Sequence, residues 1–202
     1  MDETTTQFLA AFPDRFGAAI AEAIRHEAPR FGGSPLIGAA ITTADWHTVP
    51  ALQVCTEQRF QDILQEYRES PVFSDDDRPS DTSLRSWPDE WDWCPEGSLT
   101  GAESLRALSN AFTSWYEDRD DELDEDQREA FRHQWLEEGF RALVASLGHP
   151  LVRDVFVELD SDPLLVVTDT DGGRDLALRS FEELNAGRDD ERYRESLEYW
   201  RH

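Results

Sequence analysis

VFVELDSDPLLVVTDTDGG runs from Val155 to Gly173. It holds two apolar stretches, VFVELD (Val155–Asp160) and LLVVTD (Leu164–Asp169), separated by Ser161–Pro163. Both are rich in β-branched residues, and a gap this short is hairpin spacing, which predicts two antiparallel strands. A second pair is expected near the other end of the chain. LIGAAIT (Leu36–Thr42) and TVPALQV (Thr48–Val54) read as short strands joined by a turn around Ala44 and Asp45. Pro50 has no backbone N–H to give a ladder, so the later of these strands lies at an edge or begins late.

The segments between are helical by period. Phe12, Phe16, Ile20 and Ile24 recur every four positions, and Pro13 suits the first turn of that helix better than its interior. Thr56 is a cap for a helix carrying Phe60, Ile63, Leu64 and Tyr67. Leu105, Leu108, Phe112 and Trp115 mark another helix. The longest carries Phe131, Trp135, Phe140, Leu143, Val144 and Leu147 and closes at Gly148 and Pro150. Leu176, Leu178, Phe181 and Leu184 define a helix after the Gly172–Gly173 pair, and Tyr193, Leu197 and Trp200 a short final one. Two stretches read as mobile loops: 70–86, rich in Pro, Ser and Asp, and 117–127, too charged for a core. Hairpins in place of alternating βα units predict a single α+β domain over 1–202, with a mainly antiparallel sheet built from hairpins and helices packed on it.

Composition narrows the function classes. The 202 residues carry 44 acidic and 19 basic side chains, for a formal net charge of -25, and every basic one is arginine. Such a charge repels phosphate backbones and anionic membranes, which argues against both as partners. It suits a salt-rich cytoplasm, a basic partner, or a genome that favours arginine codons. No apolar run approaches the roughly 18 residues needed to span a bilayer. MDETTTQFLAAF has no signal-peptide pattern, and Cys55 and Cys94 make no disulfide framework, so a reduced, cytoplasmic chain is expected.

TDTDGG invites a chemical reading. A hydrophobic strand running into DxDG resembles the first motif of haloacid-dehalogenase-type phosphatases. That resemblance implies Asp169 as nucleophile and Asp171 as acid and base, with a magnesium ion held by further carboxylates. In that family the motif opens a parallel-sheet domain, whereas here the strand reads as half of a hairpin. The competing reading, a strand end with aspartates that cap the next helix, is the one expected. A calcium loop fails on spacing, since Ser180 stands where an EF-hand needs Glu. A hairpin would also hold Asp160 and Asp162 away from Asp169 and Asp171. His26, His47, His133, His149 and His202 lack zinc-site spacing, and FGGSP lacks the lysine of a phosphate loop. Neither cysteine has the positive neighbours that would make a nucleophile. No catalytic residue, metal or cofactor is therefore assigned.

SWPDEWDWC places Trp87, Trp91 and Trp93 among carboxylates. Such residues either bury themselves on the sheet or hold a cationic side chain of a partner. The chain order adds a resemblance. FGGSPLIGAAITT (Phe31–Thr43), TEQRF (Thr56–Phe60), Trp87 with Glu90–Trp91, a long helix and TDTD (Thr168–Asp171) together resemble a bacterial family, domain of unknown function 4303 (DUF4303), over Phe16 to Leu184. The family brings no catalytic residues to carry over. Small acidic proteins of this style are suspected of neutralising toxins, and a strongly acidic face suits fast capture of a basic toxin. The function expected is a non-enzymatic acidic domain that binds a basic protein, as an immunity-type inhibitor does, with contacts at Asp75, Asp76, Asp77, Asp89, Glu90, Trp91 and Asp92. The rival readings are a metal-dependent phosphoryl hydrolase using Asp169 and Asp171, and a halophilic structural domain without a specific partner.

Overall fold

The first helix begins earlier than its proline suggests. α1 spans Glu3–Glu27, with Asp2 as N-cap accepting a 2.7 Å hydrogen bond from the Thr5 amide. Pro13 therefore lies inside the helix, where the carbonyl of Leu9 loses its usual donor. A buried stripe of Leu9, Phe12, Phe16, Ile20 and Ile24 outweighs that cost. Pro13→Ala restores the missing donor and is expected to raise the unfolding free energy by about 1–2 kcal/mol. Urea denaturation of the variant checks this, and an unchanged midpoint would mean that the helix is built around the proline.

The computed structural model describes residues 1–44, 50–72, 79–88, 91, 103–170 and 173–201. After α1 and a short 3₁₀ turn, β1 (Leu36–Thr43) pairs antiparallel with β2 (Ala51–Thr56). The hairpin expected from LIGAAIT and TVPALQV is thus present, and β2 starts just after Pro50. Thr56 caps α2 (Glu57–Glu69), accepting from the Arg59 amide at 3.1 Å. Then come α3 (Asp81–Ser86), α4 (Glu103–Glu122), α5 (Glu125–Leu147), α6 (Pro150–Glu158), β3 (Leu164–Asp169), α7 (Arg174–Leu184) and α8 (Glu191–Arg201). The two stretches expected as loops are partly helical: α3 occupies the end of 70–86, and 117–127 forms the end of α4, a tight turn and the start of α5.

The expected second hairpin is absent. Val155–Glu158 belongs to α6, and β3 pairs parallel with β1, from Gly38 with Leu164 to Thr43 with Asp169. The sheet is mixed, in the order β2-β1-β3, and not mainly antiparallel. Its helical rival was in the sequence: Pro150 suits the first turn of a helix, and Val152, Val155 and Phe156 follow the spacing of one helical face. All three are buried, while Val157, which a strand would place on the same face as Val155, is 79% exposed. α6 packs against α1 at Gly17, where a Cβ would stand 2.6 Å from the Cβ of His149. Arg25 of α1 binds Glu158 of α6 through Nε and Nη2, each at 2.7 Å.

Helices cover both faces of the sheet, which is why β1 and β3 are buried along their whole length and apolar up to their carboxyl ends. Ala39, Ile41, Leu165 and Val167 face a core built by α1, α4, α5 and α6. Ala40, Cys55, Leu164 and Val166 face a second core with α2, α3, α7, α8 and Trp91. β3 is an edge strand, yet its outer backbone is not open. Asn185 accepts from the Leu165 amide at 3.0 Å and donates to the Leu165 carbonyl at 2.7 Å. Ser180 Oγ accepts from the Val167 amide and donates toward the Val167 carbonyl, both at 2.9 Å. Two side chains at the α7 end of the fold thus stand in for a fourth strand and close the edge to other chains.

Candidate functional site

Trp91 leads the residues expected to meet a partner, and it is turned inward. Only 3% of it is exposed, and Nε1 donates to the Leu84 carbonyl at 3.3 Å. Its ring lies against β1 at Gly38, where a Cβ would come within 2.5 Å of the indole. The absence of a side chain on Gly38 is what admits the ring. Trp91 is therefore a core residue of the second layer, and its indole is covered by this chain itself. The other expected contacts, Asp75, Asp76, Asp77, Asp89, Glu90 and Asp92, lie outside the described residues.

A different acidic surface is built where α4 meets α5. Glu117, Asp118, Asp121, Glu122, Asp124, Glu125, Asp126 and Glu129 are all exposed. The arginines of the same run are paired with neighbouring carboxylates and carbonyls, Arg119 and Arg128 partly buried and Arg132 exposed. Arg132 binds buried Asp120 through Nε and Nη2 at 2.8 and 2.7 Å. Arg128 donates to the carbonyls of Asp120 and Leu123, and Arg119 lies between Glu122 at 2.7 Å and Asp2 at 3.0 Å. The bond to Asp120 raises the pKa of the Arg132 guanidinium, with nearby Tyr116 adding to it, so that charge stays fixed to the clasp. Glu117, Asp118, Asp121, Asp126 and Glu129 have no ion-pair partner among the described residues. The surface of this turn thus carries a large excess of negative charge, with the half-exposed Arg132 guanidinium among it. The sequence marked 117–127 as a charged loop and not as a site. The signal was the charge run itself, but which arginines pair within it depends on Asp120.

The carboxyl ends of β1 and β3 form the remaining polar centre. Thr43 Oγ1 donates to Asp169 Oδ2 at 3.1 Å, and the Thr170 amide donates to the Thr43 carbonyl at 2.9 Å. Parallel pairing places this cluster where open α/β sheets hold ligands, and α7 follows directly. Asp169 is only 8% exposed, so its carboxylate serves the junction of the two strands. Asp171 lies outside the described residues. Among the described residues, no group of three or more His, Cys, Asp and Glu is placed to share a metal ion.

Cys55 is fully buried, and burial pushes its thiol up to about 12, so it is protonated and inert at neutral pH. No described helix is long and apolar enough to cross a membrane. No family model, curated protein or solved structure matches this chain.

Proposed function

We propose that this protein is a cytoplasmic, non-enzymatic acidic domain that captures a basic protein, in the manner of an immunity-type inhibitor of a toxin. The observation that carries the reading is the α4–α5 turn, where eight exposed carboxylates crowd together and outnumber the three arginines paired beside them. On a chain with a net charge of -25, such a face steers a cationic partner and speeds its docking. The similarity to domain of unknown function 4303 belongs to the same proposal and adds no activity to it. Affinity capture from host lysate at low salt, with the products of neighbouring genes included, tests the reading. A stoichiometric basic protein that leaves at high salt is expected, because ionic strength screens exposed charges within about 10 Å.

A second reading, a phosphoryl hydrolase on Asp169 and Asp171, is favoured by one feature, the parallel strand that delivers Asp169 in front of α7. The burial of Asp169 and its bond to Thr43 weigh against it. Phosphatase assays with magnesium are expected to show no turnover that Asp169→Asn abolishes. Turnover lost in that variant, with folding intact, would reverse the order of the two readings.

A further inference from the structure

We draw no further inference here: the strongest candidate, the Thr43–Asp169 cluster at the carboxyl end of the parallel β1–β3 pair, belongs to the site already described, and its buried carboxylate is bonded by the Thr43 hydroxyl with no unpartnered group beside it among the described residues to point to a ligand.

Discussion

Trp91→Ala is expected to lower the unfolding free energy by about 3–5 kcal/mol, the range for truncating a large buried aromatic. The indole fills the space over Gly38 and beside Leu84, so its loss opens a cavity in the second core and strands the Leu84 carbonyl. Neighbours cannot close that space easily, because Phe60, Ile63 and Val166 are themselves packed into the same cluster. The opposite change should be nearly as harmful, since a side chain added at Gly38 meets the ring well inside contact distance. Equilibrium urea unfolding measures the effect. A Trp91→Ala midpoint within error of the parent would mean that the indole does not hold this core. The same number matters for function: binding lost in a Trp91 variant reports unfolding before it reports a contact.

Asn185→Leu, which keeps the branching and the number of side-chain heavy atoms, should cost about 3–5 kcal/mol. The amide makes three buried bonds, two with the Leu165 backbone and one with the Phe181 carbonyl. Replacing it leaves a strand N–H and its carbonyl buried without partners, at about 1–3 kcal/mol for each unsatisfied group. Leucine is more hydrophobic than asparagine, so a purely apolar account of this site predicts the reverse sign. Unfolding measurements decide between the two, and amide exchange at Leu165 gives a local reading. Protection there should fall in the variant while that of Ile41, deep in β1, follows only the global change. Unaltered stability would show that the edge of β3 does not need its side-chain cover.

These two residues also show where the sequence speaks and where it is silent. Periodicity marks α2, α4 and α8 well, because each has a single buried stripe at helical spacing. The β1–β2 hairpin was legible for a similar local reason. At α6 the local cues conflict: β-branched valines favour a strand, while Pro150 and the Val152–Val155–Phe156 spacing favour a helix. Burial against α1 decides that contest, and no window of sequence around α6 contains α1. The parallel pairing of β3 with β1 is likewise a long-range fact. Trp91 among carboxylates reads as either core or contact until Gly38 is placed beneath it. Ser180 and Asn185 look like interruptions of an apolar helix face until the bare edge of β3 is set against them. The acidic turn was visible as a run of charge, but the pairing of Arg128 and Arg132 with buried Asp120 was not.

The central claim is that the α4–α5 turn captures a basic protein, and the direct test compares two proteins side by side. One is the parent chain. The other carries Glu117→Gln, Asp118→Asn, Asp121→Asn, Asp126→Asn and Glu129→Gln, which leaves the Asp120 clasp and the Asp124 cap of α5 intact. None of the five replaced carboxylates is buried, so equal unfolding midpoints are expected and confirm a like-for-like comparison. The measurement is the amount of basic protein each retains from host lysate at low salt. The account predicts a stoichiometric partner on the parent and at least tenfold less on the variant. Equal retention by both, or no basic partner on the parent, would contradict it.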